Sequence, residues 1–514
     1  MKHARPPALR KSLARIEHEN TRQRLKKTLG PLQLTMLGVG STIGAGIYVM
    51  TGTAAANYAG PSILLSFVVA GIACLFTALS YAELASVMPV SGSAYTYAYV
   101  SMGEGWAWAV GWLLLMEYGI SCAGVAAGFS GYAASLLKDL GVDFPSVLHT
   151  TTLSVVYQGA DRSIVGHWQC DLLGALSILA VTSLLVVGVQ ESFKINSLIV
   201  VLKVGVLAVF VALGVWEMHP AYWTPFIPAY QGGFRYGIPG IFRAASVIFF
   251  AYVGFEAVST AAAEAKNPKR DVPLGIVLSL VICTGVYMVV AAVLIGVVPW
   301  QSLNVADPLA IAVNAMHQPW LALFVKIGAV VGLCSVMMGL LYAQSRIFFA
   351  MAEDGLLFSV FSRLHRHYHT PWIGSIVLGL MVAVATAVLP IDIIGDLVSL
   401  GTATAFGIVC FTVMWMRNTA PDYKRAFVVP FGGFVVRGVW IGYVPVLGML
   451  FCSFMVAPLC WDMVLACIGG DPLPLLLLSA YALCGWSCYH FYGRHHSRLG
   501  RERRAALAAP SVNH

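Results

Sequence analysis

The stretch Gly38–Gly46, with the sequence GVGSTIGAG, lies inside an apolar run at about residues 33–56 that is long enough to cross a membrane. Its four glycines make poor helix material, because each costs about 1 kcal/mol relative to alanine. A second apolar run is interrupted by FFAYVGFE at Phe249–Glu256, which places a glycine and an acid in mid-span. Two interrupted runs in corresponding positions of two halves indicate broken membrane helices around a binding site.

The composition indicates a protein embedded in a membrane. Hydrophobic residues make up 59% of the 514-residue chain and charged residues only 11%, whereas soluble domains carry about 25% charged residues. The apolar residues fall in runs of about 20, the length of a membrane-spanning helix. We predict an all-α polytopic membrane protein with about twelve spans, at residues 33–56, 62–86, 105–136, 171–190, 195–216, 239–263, 274–298, 321–350, 372–389, 393–416, 436–459 and 473–492.

The interrupted runs are the first and the sixth spans, so spans 1–5 and 6–10 are expected to form two inverted five-helix repeats. The predicted organisation has four parts. They are a basic cytoplasmic segment at 1–30, a core at 31–430 with repeats at about 31–216 and 239–416, two peripheral helices at 431–493, and a basic cytoplasmic tail at 494–514.

Basic residues are distributed unevenly along the chain. Residues 1–27 hold nine Lys and Arg, and the tail from Arg494 to Arg504 holds five more. With a cytoplasmic N-terminus, the predicted inner segments collect 23 and the outer loops three, which places both termini in the cytoplasm. The net charge of +8 therefore suits contact with anionic lipid in the bilayer better than nucleic acid.

The sequence supplies no catalytic or metal-binding pattern. It contains no GxSxG, HExxH or P-loop, and most of its 11 cysteines lie in apolar runs without CxxC spacing. Such cysteines behave as small hydrophobic residues. We therefore expect neither an enzyme nor a cofactor, metal site or disulfide framework.

An unwound helix at mid-membrane exposes backbone groups that protein, water or a ligand must satisfy. The amides at the start of the following half-helix favour a carboxylate, and the freed carbonyls accept hydrogen bonds from an ammonium. The Gly38–Gly46 pattern by itself also fits close packing of helices through small residues.

Three charged residues lie well inside predicted spans, away from the span ends: Lys203, Glu117 and Glu256. A charge at this depth is costly unless it is paired or neutralised, and it marks an ion or substrate path by default. Static ion pairs and structural hydrogen bonds remain alternatives for all three. Arg243 and Lys326, near span ends, are interpreted as interfacial. Phe250, beside the second break, is a candidate aromatic gate.

The segments GVGSTIGAGIYVMTG at 38–52 and FFAYVGFEAVSTAAAEAKNPKRDVP at 249–273 resemble the amino acid–polyamine–organocation superfamily. The similarity extends over about residues 30–430 and is closest to bacterial relatives of the cationic amino acid transporters. It implies a LeuT-like fold of broken helices and inverted repeats, alternating access, and a bacterial inner membrane.

The resemblance also implies roles for residues around the two breaks. The substrate carboxylate would bind at Thr42, Ile43, Gly44, Ala45 and Gly46. The backbone of Phe250, Ala251 and Val253 would take the amino group. In relatives without a sodium site a lysine occupies the cation position, and Lys203 matches it, so coupling to protons is favoured. Glu117 matches an acid of the cationic branch, Ser121 would face the same cavity, and Glu256 would belong to the proton-coupling groups.

Two departures from the family pattern concern side-chain contacts. Glu256 stands where an aspartate is common, and Ala45 stands where many relatives have a hydroxyl residue. No acid is clearly placed for a cationic substrate side chain, and Met337 or Met338 would fill that part of the cavity. A small neutral amino acid is thus at least as suitable as a cationic one.

The sequence predicts a proton-coupled amino acid symporter. An exchanger and a non-transporting sensor of the same fold remain alternatives. No obligate heavy-chain subunit is expected, because residues 137–169 contain no cysteine for such a link.

Overall fold

A computed structural model describes residues 29–89, 92–158, 161–188, 193–421 and 425–508. Most of the basic segment at 1–30 and the end of the tail thus lie outside the described residues. The described part of the chain contains eight helical stretches whose length and apolar composition suit a membrane span. The chain is therefore a helical polytopic membrane protein, as the composition predicts.

The helices follow one another along nearly the whole described chain. In order, α1 to α18 are Pro31–Thr42, Thr51–Ala54, Ile63–Val87, Ser93–Ser101, Glu104–Asp139, Leu172–Val187, Phe193–Gly214, Gly237–Ile248, Ala257–Thr260, Pro268–Val297, Pro308–Ala315, Pro319–Glu353, Trp372–Val388, Ile391–Thr419, Tyr443–Ile468, Leu473–Ser487, Arg494–His496 and Arg498–Ala508.

Two of the predicted spans, at 171–190 and 372–389, correspond to the shorter apolar helices α6 and α13. Large apolar side chains on α6 are exposed at Leu172, Leu176 and Leu179, which is the spacing of one helix face. On α13 the exposed side chains of Leu380 and Val384 are four residues apart and therefore also lie on one helix face. These exposed apolar faces suit contact with lipid chains.

Two short β-hairpins lie between the helices of the described chain. Strands β1 (Leu153–Gln158) and β2 (Asp161–Gly166) form an antiparallel hairpin in the loop between α5 and α6. A second hairpin joins β3 (Gly433–Val436) to β4 (Val439–Gly442). The second hairpin occupies the start of the span predicted at 436–459, so α15 begins seven residues later than expected, at Tyr443.

Both predicted interruptions are present in the helices. After α1 ends at Thr42, the chain bends and resumes as π-helix at Gly46–Met50, followed by α2 and a second π-helical segment at Ala55–Ala59. We call the stretch from Gly46 to Ala59 the outer segment. The second interruption follows α8, where a 3-10 turn at Phe249–Tyr252 leads into α9.

Both ends of the described chain lie on one face of the helical bundle. Leu29 pairs with Ala265, just after α9. At the other end, the Arg498 N–H donates to the carbonyl of Asp354, 2.9 Å away. Helix α4 links these places, because Ser93 contacts Ser259 of α9 and the Tyr95 hydroxyl donates to the Asp354 carboxylate. We call this the terminal face and the opposite side the distal face.

Candidate functional site

The two helix breaks touch each other through their backbones. A Cβ atom placed on Gly46 would lie 2.3 Å from the Cα of Ala251, a distance that real Cβ atoms do not reach. Gly254 has a φ of +121°, and its Cβ would lie 2.6 Å from the carbonyl carbon of Ser41. Glycine is therefore required at both positions, for close approach at the first and for both approach and conformation at the second.

One tyrosine connects the two breaks. The hydroxyl of Tyr287, a fully buried residue on α10, lies 2.6 Å from the carbonyl of Thr42 and 3.0 Å from that of Ala251. These carbonyls lose their helical partners where α1 and α8 are interrupted, and the membrane interior offers them no donor. The hydroxyl has a single proton, so it donates to one of them at a time or shares the proton between both. Tyr287 was not among the residues predicted from the sequence. The one feature that could have indicated it is a hydroxyl-bearing side chain inside an apolar span.

We expect Tyr287→Phe to weaken substrate binding about tenfold, because losing a buried hydrogen bond costs on the order of 1–3 kcal/mol and frees both breaks to shift. The measurement is substrate-induced thermal stabilisation of the purified protein. Tyr481→Phe is the matched control, since its hydroxyl donates to the Trp112 carbonyl at 2.6 Å, from α16 and away from the breaks. Equal loss of binding in both variants would contradict a specific role for Tyr287.

A small cavity lies where the breaks meet. The empty space among its lining atoms, including any that is open to solvent, is about 240 Å³. It is lined by Ser41, Thr42, Gly44, Ala45, Gly46, Ser121, Val125, Phe250, Val253, Val336 and Leu340. The cavity therefore suits a small solute.

Seven of the nine predicted substrate-binding residues line this cavity, and two do not. Ile43 and Ala251 are outside the lining, since Ile43 caps α1 and Ala251 packs against Gly46. The cavity also includes Ser41, Val125, Val336 and Leu340, which sequence reasoning did not single out. The expectation that Met337 or Met338 fills this space is not met, because the neighbouring Val336 and Leu340 do so.

Backbone donors of the first break face this region. The N–H of Tyr48 donates to the carbonyl of Gly44 at 3.2 Å and closes the first turn of the outer segment. The amides that precede Tyr48 in that turn have no acceptor within the helix, and the helix dipole adds positive potential there. The Ser121 hydroxyl is buried without a hydrogen-bond partner among the described residues, so it is available to a solute.

Lys203 lies beside the first break rather than in the cavity lining. Its side chain is 1% exposed, and its ammonium donates to the carbonyl of Gly40 in the last turn of α1, 3.0 Å away. The lysine stem packs against Gly332, where a Cβ would lie 3.1 Å from the lysine Cγ. The missing side chain at Gly332 thus leaves room for the lysine between α7, α1 and α12.

The two predicted acids lie together on the other side of the second break. One oxygen of Glu256 accepts from the N–H of Gly254 at 2.9 Å, and the other accepts from the Tyr118 hydroxyl at 3.3 Å. Glu117 is fully buried within electrostatic range of Glu256. Its carboxylate lies near the Thr402 hydroxyl, but among the described residues neither oxygen has a hydrogen bond of good geometry. Neither acid lines the cavity.

The interpretation of Arg243 and Lys326 as interfacial side chains is wrong. Both are fully buried in the protein. Arg243 pairs with Asp396 and Asp462, and Lys326 pairs with Asp139. The acidic partners are distant in sequence, so position within a span could not reveal them.

The chain matches the family model described as amino acid permease over residues 29–478. It is 39% identical to the branched-chain amino acid permease BcaP of Bacillus subtilis (strain 168) over 93% of this chain and 95% of that protein. It is 35% identical to the methylthioribose transporter of the same strain, over 96% of this chain and 99% of that protein.

The chain is also similar to a plant protein that is named as a cationic amino acid transporter. The chain is 38% identical to the vacuolar cationic amino acid transporter 4 of Arabidopsis thaliana, over 77% of this chain and 64% of that protein. The matched region runs from two residues before α1 into α16 and so contains both breaks and the cavity. The chain therefore belongs to the amino acid permease family of the amino acid–polyamine–organocation superfamily.

Proposed function

We propose that this protein is a secondary transporter that carries an amino acid together with a proton by alternating access. The observation that carries the proposal is the contact of two broken helices around one small cavity. Backbone amides of the first break, at Thr42 to Gly46, would bind the substrate carboxylate. Carbonyls near Phe250 and Val253 would accept from the amino group. The matching family, amino acid permease, supports this assignment.

The cavity lining favours a substrate with an uncharged, aliphatic side chain. Beyond the breaks it consists of Val125, Val336 and Leu340 with the single hydroxyl of Ser121. Among the described lining residues none is charged, so a cationic side chain would lie there without a counter-ion at high cost. A relative that is named a branched-chain amino acid permease agrees with this choice.

Proton coupling rests on the position of Lys203. Its ammonium holds the Gly40 carbonyl at the end of α1, where a bound cation would otherwise be needed to satisfy it. Loss of the lysine proton would leave a neutral amine, whose hydrogen bond to that carbonyl is weaker than that of the ammonium, and would thereby loosen the first break. Glu117 and Glu256 are proposed to exchange the proton with Lys203 or with water during the cycle.

The proposed topology has about twelve spans, with both termini in the cytoplasm and two inverted repeats headed by the broken helices. Helices α15 and α16 would be peripheral to the repeats. The terminal face then faces the cytoplasm and the distal face the outside of a bacterial inner membrane. The basic segments near the chain ends support this orientation. We propose that no heavy-chain subunit is needed.

The test is uptake of labelled leucine, alanine and arginine into sodium-free proteoliposomes, with and without an inward proton gradient. We expect gradient-driven uptake of leucine or alanine and little uptake of arginine. Exchange of preloaded amino acid without net uptake would instead mean an exchanger. Binding without any movement would mean a sensor. Unlabelled methylthioribose, named for one relative's substrate, is added as a competitor, and strong inhibition by it would overturn the proposed substrate class.

A further inference from the structure

A buried group of three charges lies on the distal side of the cavity. In α8, the Nη2 of Arg243 contacts both carboxylate oxygens of Asp396 in α14, at 2.8 and 2.9 Å. The same guanidinium contacts Asp462 of α15, at 2.8 Å from Nη2 and 3.2 Å from Nε. Arg243 and Asp396 are almost completely buried, whereas the Asp462 side chain is 20% exposed. The Arg243 guanidinium is thus shared by two carboxylates, of which only Asp462 is partly exposed to solvent.

The outer segment also contacts Arg243, and it contacts a second acid on α14. The Arg243 guanidinium lies 4.7 Å from the ring centre of Tyr58, close enough for a cation–π interaction. The side-chain amide of Asn57 donates to Asp392 at 3.0 Å. Asp392 precedes Asp396 by one turn of α14. Helix α14 therefore holds both α8 and the outer segment through two acids on one of its faces.

These contacts must change before the cavity opens to the distal face. Both α8 and the outer segment run from their breaks toward that face, since α9 ends beside Leu29 on the terminal face. Helix α14 packs directly on the outer segment, because a Cβ on Gly395 would lie 3.2 Å from the Met50 sulfur. A path from the cavity to the distal face requires these elements to separate from α14.

If Asp396 were its only partner, separation from Asp396 would leave the buried Arg243 guanidinium without a counter-ion. Losing one partner of a buried ion pair typically costs about 3–5 kcal/mol. Asp462 removes most of that cost, since it belongs to a different helix and already contacts the same guanidinium. Its partial exposure also lets water reach the pair as the elements move apart.

We propose that Arg243, Asp396 and Asp462 form a two-position latch for the distal side of the cavity. In the closed position Asp396 holds α8 against α14, as in this structure. In the open position the guanidinium leaves Asp396 and stays paired with Asp462. This gives α15, a helix outside the predicted repeats, a part in the transport cycle. The proposal goes beyond the substrate and coupling proposed above and rests on them only for naming the distal face as the outer one.

The latch predicts opposite effects for its two acids. Asp396→Asn removes the closed-position partner and should favour the distally open state. Asp462→Asn removes the open-position partner and should disfavour it. A static ion-pair cluster would instead lose stability in both variants without a change of opposite sign. The sign of the effect therefore separates the latch from a structural role.

The experiment measures opening without needing a substrate. A cysteine is introduced at Ser121 in the cavity, and its reaction with a membrane-impermeant maleimide added outside intact cells is followed by mass spectrometry of that position. We expect Asp396→Asn to speed labelling about fivefold and Asp462→Asn to slow it by a similar factor, within the usual range of coupling between sites. Asp139→Asn, which breaks the buried pair with Lys326, is the control and should leave the rate within about twofold.

Equal labelling rates, or shifts in the same direction, would overturn the latch. Asp462→Asn decides the question even if Asp396→Asn fails to fold, because it keeps both bonds between Arg243 and Asp396. Failure of leucine uptake with opposite labelling shifts would overturn the proposed substrate and leave the latch standing.

Discussion

Lys203→Met should reduce proton-driven accumulation of substrate at least about tenfold. Methionine keeps most of the alkyl stem that packs against Gly332 but removes the ammonium that donates to the Gly40 carbonyl. A buried hydrogen bond from a charged donor is worth on the order of 1.5–3 kcal/mol, which is tenfold or more in an equilibrium. The measurement is uptake into sodium-free proteoliposomes with an inward proton gradient.

An exchange assay distinguishes loss of proton coupling from a general loss of function in Lys203→Met. If Lys203 carries the coupling, Lys203→Met should still exchange internal for external substrate while it no longer accumulates substrate against a gradient. Lys138→Ala changes an exposed lysine at the end of α5 and serves as the control for removing a positive charge. Normal gradient-driven uptake by Lys203→Met would refute a proton-coupling role and leave the lysine as a structural donor.

Gly46→Ala should weaken substrate binding about a hundredfold. The new Cβ would lie 2.3 Å from the Cα and Cβ of Ala251, and backbone atoms cannot move aside as the end of a flexible side chain can. The two breaks must then separate, which displaces the donors and acceptors around the cavity. Misplacement of positioning groups by about 1 Å can cost about a hundredfold in function. The measurement is the substrate affinity of the purified protein, with its thermal stability determined in parallel.

Gly339→Ala is a close control for this change. Gly339 is also a helical glycine, next to the cavity residue Leu340, but a Cβ at this position meets no atom within 4 Å. It should therefore bind substrate as the wild type does. If Gly46→Ala binds substrate normally, the contact between the breaks is not rigid and does not define the cavity.

The positions at which the membrane helices are interrupted could be predicted from the amino-acid sequence alone. Backbone conformation is local chemistry, so the glycine-rich stretch at Gly38–Gly46 and the glycine at 254 were visible as breaks without knowledge of their neighbours. The long apolar runs likewise predicted the membrane class, since a bilayer imposes a fixed length on each span. Lys203, Glu117 and Glu256 stood out because a charge within an apolar run is expensive wherever it lies.

Contacts between residues that are far apart in the chain became visible in the tertiary structure. The Tyr287 hydroxyl reaches carbonyls of both breaks, and Arg243 finds its acids on two later helices. The apolar side of the cavity comes from Val125 and Val336, which lie on different helices and look like ordinary core residues in sequence. Such contacts depend on how helices far apart in the chain pack, and the spacing of residues within one helix carries no record of that packing.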